Sequence, residues 1–90
     1  MHIDKAFMGT IGLSLKAGLT TTDAGEAYTK ELVMERASEV VLLADSNKVG
    51  MVTFAQAGKL SEVDVLVTDA PLPQEYEEYC LANDVRVMVA

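Results

Sequence analysis

The sequence predicts an α/β fold, a mostly parallel sheet with helical crossovers, and three observations lead to it. Short apolar runs rich in β-branched and aliphatic residues recur at 3–9, 40–44, 63–67 and 85–89; the second is unbroken, as in a strand buried on both faces, and the third repeats that pattern. Longer segments of helical composition separate the first run from the second and the third from the fourth. The second and third runs end in polar residues, Asp45-Ser46-Asn47-Lys48 after one and Thr68-Asp69 after the other. Open α/β sheets place their ligands at that carboxyl edge.

Each element has its own warrant. Residues 3–9 read as a strand that runs into a glycine turn, Gly9-Thr10-Ile11-Gly12. Residues 18–22 read as a loop, from which Thr21, Thr22 or Asp23 can cap the following helix. That helix is expected from about 23 to 37. Its apolar residues Ala24, Ala27, Tyr28, Leu32, Val33, Met34 and Ala37 occupy more than one face, which predicts cover on two sides. After the strand at 40–44 come its carboxyl-end loop (45–50), a short extended piece (51–57) and a connector or single helical turn (59–62). Pro71 and Pro73 stiffen the approach to a last helix at 74–82, where Glu75, Glu77 and Glu78 suit the positive end of the helix dipole. Asn83-Asp84 closes it, and a final strand follows at 85–89. Two substantial helices are too few to cover both faces of four parallel strands. The sheet is therefore expected to be completed by residues outside the chain or by a second copy, and the chain to form a homo-oligomer.

Ninety residues make one domain, and 50% hydrophobic with 23% charged residues is a globular composition. Fourteen acidic residues against seven basic ones give a net charge of −7, which opposes binding to nucleic acid or anionic lipid. A single lysine with nearby loop N–H groups can still hold one phosphate. Cys80 has no second cysteine for a disulfide and no companion at zinc spacing, so neither a metal nor a cofactor is expected. The charged first residues do not make a signal peptide and no apolar run reaches membrane-span length, so a cytoplasmic protein is expected.

Among candidate residues, Lys48 would supply a mobile cation to a phosphate or carboxylate, or is a solvated loop lysine. Asp45 would accept hydrogen bonds from ligand hydroxyls, or orient its own loop, with the structural role slightly ahead. Asp69 reads as a turn former or helix-entry group. Gly9 and Gly12 permit positive φ and close backbone approach to an anion or sugar, although G-x-x-G is a weak pattern and G-x-G-x-x-G is absent. Glu26 is accounted for by the helix dipole and a capping interaction, while a general base is the alternative with chemical content. Cys80 reads as a half-buried helix residue and not a nucleophile. The methionines read as core filler.

The residues also form a family pattern. Asp4-Lys5-Ala6-Phe7-Met8-Gly9, Gly18-Leu19-Thr20-Thr21, Glu26-Ala27, Lys30, Val33-Met34, Ala37, then Leu43 through Gly50 and Val63 through Asp69, resemble the effector-sensing domain of DeoR/GlpR-type bacterial transcription regulators, in order and over nearly the whole chain. The resemblance implies a sensor domain of the sugar-phosphate isomerase and CoA-transferase fold, of which residues 1–90 are the C-terminal portion. No winged helix-turn-helix is included, so operator DNA would be reached only through a domain absent here. The implied function is that of a transcriptional repressor's sensor, with a phosphorylated sugar or related metabolite bound by Asp4, Gly9, Gly12, Glu26, Asp45 and Lys48. The isomerases carry a lysine and a denser glycine run where this chain has Met8-Gly9-Thr10-Ile11-Gly12, which implies loss of catalysis with ligand binding retained. The competing reading is a sugar-phosphate isomerase with Glu26 as base and Lys48 on the phosphate. A receiver domain phosphorylated on Asp45 is disfavoured, because the paired acids it needs after the first strand are missing.

Overall fold

In chain order the elements of the computed structural model, which describes residues 2–90, are strands β1 (Ile3–Gly9), β2 (Gly12–Ser14) and β3 (Gly18–Thr21), helix α1 (Ala24–Arg36), strands β4 (Ala37–Leu43), β5 (Ala55–Gly58) and β6 (Val65–Thr68), helix α2 (Gln74–Ala82) and strand β7 (Arg86–Val89). Short 3₁₀ turns occupy Ser46–Lys48 and Leu60–Glu62. Strands β1, β4, β6 and β7 pair in that order, all parallel, as the alternation of apolar runs and helices predicts.

A second sheet departs from the sequence expectation. Residues 18–22, read as a loop, hold β3, which pairs antiparallel with β2 on one side and β5 on the other. These strands carry glycines and threonines in place of an apolar run, and the fold uses both. Gly18 has φ +71°, and a Cβ there would run into the carbonyl oxygen of Gly58 across the sheet, so only glycine fits. Thr20 is buried, and its hydroxyl accepts the Thr53 N–H at 3.1 Å. The extended piece expected at 51–57 pairs only from Ala55 onward, and Phe54 before it is 81% exposed. Strand β4 starts at Ala37, three positions before the expected run, because α1 passes into it without a loop.

Asp23 caps α1, its carboxylate accepting the Gly25 N–H at 3.0 Å. The helix packs against β3 and β5 of one sheet and β1 and β4 of the other, the two-sided cover its scattered apolar residues predict. Its buried Ala27 and Met34 join Leu13, Leu19 and Ala57 of the small sheet in one core with Ala6, Met8, Val40, Leu42 and Leu66 of the parallel sheet. Tyr76 and Cys80 of α2 enter the same core.

All those parallel-sheet residues lie on one face. The register places Phe7, Val41, Val65 and Arg86 in one row of the opposite face, and Gly9, Leu43, Val67 and Met88 in the next. On that face Phe7, Leu43 and Met88 are 67%, 49% and 51% exposed, while Val41 and Val65 at its centre are buried. The cause is topological. The chain crosses the sheet in one direction, from β1 to β7, and right-handed crossovers that all move one way lie on one side. The expected shortage of covering helices thus has a definite location.

An uncovered apolar face of this kind should drive association of isolated 90-residue chains. Sedimentation velocity over a concentration series should show a reversible oligomer, and Phe7→Lys should weaken it roughly 10- to 150-fold, since burying one phenylalanine is worth roughly 1.5–3 kcal/mol. A concentration-independent monomer would contradict the expectation.

Candidate functional site

Because every strand of the large sheet runs the same way, all four carboxyl ends meet at one edge. A cleft of about 270 Å³ opens there. Gly9 and Thr10 line it from the end of β1, Asp45 and Lys48 from the loop after β4, and Thr68 and Asp69 from the end of β6. Two polar strand ends seen in the sequence are thereby brought side by side.

The loop after β4 is tied down along its length. The Ala44 N–H donates to the Val67 carbonyl at 3.0 Å, which carries the sheet pairing one residue past β4. The Ser46 N–H donates to Asp69 Oδ1 at 2.6 Å, a contact between adjacent strand ends. Within the 3₁₀ turn the Lys48 N–H donates to the Asp45 carbonyl at 2.9 Å. The Gly50 N–H then donates to the Leu13 carbonyl at 2.6 Å, which joins the loop to β2, and Gly50 takes φ +89° to make that exit.

Charge is distributed unevenly in the cleft. The ion pairs among the described residues join His2 to Asp4, Lys5 to Glu39 and Lys30 to Glu26, which leaves the half-buried Lys48 without a carboxylate partner. The Asp45 side chain makes no capping hydrogen bond to its turn and is exposed. The slight preference for a structural role thus applies to its backbone alone. Asp69, expected to be a turn former, instead uses its carboxylate on Ser46. Hydrogen bonding from Ser46 holds that carboxyl below the usual aspartate range.

Of the six residues expected at a ligand, Gly9, Asp45 and Lys48 come together in the cleft, and Asp4, Gly12 and Glu26 do not line it. Asp4 lies on the amino-terminal half of β1, five residues from Gly9 or roughly 17 Å along an extended strand, and its carboxylate faces His2 at 3.1 Å. Gly12 is buried in β2, where a Cβ would overlap Thr20 Oγ1 and the Met51 carbonyl, so its smallness serves packing. Neither Gly9 nor Gly12 has positive φ. Glu26 lies 3.5 Å from Lys30 Nζ, which in turn donates to the Gly9 carbonyl at 2.8 Å. It therefore touches the rim of the cleft only through Lys30. Reasoning from the sequence missed Thr68 and the reach of Asp69. The signal was present in the polar end of the 63–67 run, but nothing local says which neighbouring loop it meets.

Cys80, expected to be half-buried, is fully buried, and burial followed by the charge of Glu77 pushes its thiol up. Its role is packing.

Residues 1–70 match the family model for the DeoR C terminal sensor domain. The chain belongs to the DeoR sensor-domain family. This sensor domain is similar to the HTH-type transcriptional regulator GlpR of Haloferax volcanii, with 42% identity over 87 residues, covering 97% of the chain and 34% of that protein. It is 37% identical over 89 residues to the HTH-type transcriptional regulator IolR of Bacillus subtilis, covering 99% of the chain and 36% of the relative. The Deoxyribose operon repressor of Escherichia coli K12 is 31% identical over 85 residues, covering 94% and 34% respectively. The DeoR sensor chain thus spans about a third of the length of these relatives. No helix among its described residues is long and apolar enough to cross a membrane.

Two measurements check this geometry. A carboxyl held below its unfolded value contributes stability above that unfolded value and loses it as pH falls through the folded one. The Ser46 amide resonance should therefore titrate with a midpoint below 3.8, the ordinary aspartate value, and Asp69→Asn should abolish that titration. Cys80 should resist a thiol reagent at neutral pH in the folded chain and react on addition of denaturant; equal rates in both states would contradict its burial.

Proposed function

We propose that this DeoR sensor domain binds a phosphorylated sugar or related metabolite at the strand ends, and that in a cytoplasmic repressor this binding modulates attachment to operator DNA by a separate DNA-binding domain. The observation that carries the reading is Lys48, a half-buried cation without a carboxylate partner among the described residues, in a cleft whose other polar walls include Asp45 and Asp69. An ammonium group suits a phosphate, and carboxylates suit the hydroxyls of the sugar that bears it. The relatives' printed names, transcriptional regulators and an operon repressor, support a regulatory reading. The placement of Glu26 supports it too, since a base for isomerisation must reach the substrate and this carboxylate is directed to Lys30 outside the cleft.

Binding would act by favouring one conformation, and only to the extent that the ligand prefers it. A thermal-shift screen of the chain against aldose and ketose phosphates should find at least one stabilising ligand. Lys48→Ala should weaken that ligand roughly 10- to 100-fold, the range for a charge-assisted hydrogen bond worth about 1.5–3 kcal/mol. No stabilisation by any member of the panel, or a Lys48→Ala variant that binds like the parent, would count decisively against this function.

A further inference from the structure

Thr68 and Asp69 close β6, and the core does not account for their polar groups. Thr68 is 3% exposed and lines the cleft, yet its hydroxyl oxygen is buried with no hydrogen bond of proper geometry among the described residues, the Asp69 carboxylate feeling it only weakly. Buried hydroxyls are almost always paired with protein or ordered water, so an orphan in the wall of a cleft points to something bound there. The hydroxyls of Thr21 and Thr53 are also unpaired, but neither residue lines this cleft. Asp69 extends its carboxylate from one strand end to the backbone of the next loop, the loop that carries Asp45 and Lys48.

We propose that Thr68-Asp69 is the second arm of the binding site, with the Thr68 hydroxyl bonding a hydroxyl of a phosphorylated sugar and Asp69 acting as the positioning residue for the Asp45–Lys48 loop. This rests on the sugar-phosphate reading of the same cleft. The division of labour follows from charge. With carboxylates at Asp45 and Asp69, the favourable place for a phosphate is beside Lys48, and the remaining wall suits neutral hydrogen-bonding groups. A threonine hydroxyl both donates and accepts, which matches a sugar hydroxyl. Asp69 works at one remove. Its bond to the Ser46 N–H fixes the start of the 3₁₀ turn, and the turn's own bond from the Lys48 N–H to the Asp45 carbonyl transmits that placement to both residues.

The test is calorimetric titration of the 90-residue chain with inorganic phosphate and, separately, with ribose 5-phosphate. Thr68→Val, which keeps the shape and removes the hydroxyl, should weaken ribose 5-phosphate roughly five- to tenfold and leave inorganic phosphate unchanged, and Thr68→Ser should restore most of the loss. Asp69→Ala should weaken both probes about fivefold and displace the Ser46 and Lys48 amide resonances of the ligand-free protein, while Asp69→Asn, whose side-chain oxygen still accepts from Ser46, should recover both. A Thr68→Val variant that loses neither probe, or loses both equally, overturns the Thr68 contact, as does a parent chain that binds neither. Undisturbed loop resonances in Asp69→Ala overturn the positioning role without reference to any ligand. A Lys48→Ala variant that binds like the parent, beside a Thr68→Val variant that discriminates, would sink the phosphate reading and leave the Thr68 contact standing.

Discussion

The direction of the chain across its parallel sheet constrains everything else in this molecule. Four strands run the same way and each follows its predecessor toward the same side. Parallel orientation gathers every carboxyl end at one edge, and the handedness of the crossovers puts α1, α2 and the small sheet on one face. The cleft and the bare face are two consequences of a single topology. Parallel sheets ordinarily have both faces covered, so a one-sided one is half of an arrangement. The chain spans about a third of the length of its relatives, which is compatible with cover from further polypeptide in proteins of that length.

The same constraint explains why the site is made of short contacts. Strand ends in a parallel sheet lie only about 4.8 Å apart, so residues distant in sequence become neighbours without a long loop. Ser46 and Asp69 are an example: each follows its strand within a few residues, and their bond is a direct result of β4 pairing with β6. The exit of the loop is fixed in the other sheet, by Gly50 on Leu13. The backbone around Lys48 is thus held from both sheets, so a ligand there would have little loop to order.

Legibility in the sequence followed the range of the interactions involved. Strands β4 and β6 announce themselves because burial on the sheet demands consecutive apolar residues, and Val40-Val41-Leu42-Leu43 and Val65-Leu66-Val67 satisfy that demand locally. The polar ends that follow them pointed to Asp45 and Lys48 for the same reason. Strands β2 and β3 did not show, since three or four residues containing Gly12, Ser14, Gly18, Thr20 and Thr21 carry no period. Their stability comes from pairing with one another and with β5, more than thirty residues on. Glu26 and Asp4 were assigned to a ligand from family resemblance, and the folded chain gives each a nearer ionic or hydrogen-bonding neighbour, Lys30 and His2. Whether Asp69 serves its own turn or the neighbouring loop is a question of sheet register, which no local pattern encodes.

The cleft's composition also bears on sensing rather than catalysis. Proton transfer needs a base within hydrogen-bond reach of the reacting carbon's proton, with a pKa suited to its task. Here the carboxylates that line the cleft are Asp45, exposed at the head of the Ser46–Lys48 turn, and Asp69, already committed to Ser46 and shifted toward the charged form. An ionised carboxylate that serves as an anchor is a poor proton acceptor, because protonation would weaken its charge-assisted bond to Ser46. What such a group does well is couple structure to occupancy. A ligand spanning Lys48 and Thr68 would join the ends of β4 and β6 that Asp69 already links, and would stabilise the conformation in which that link is made. Three neighbouring strand ends would suffice for the proposed recognition, which asks for no reacting group.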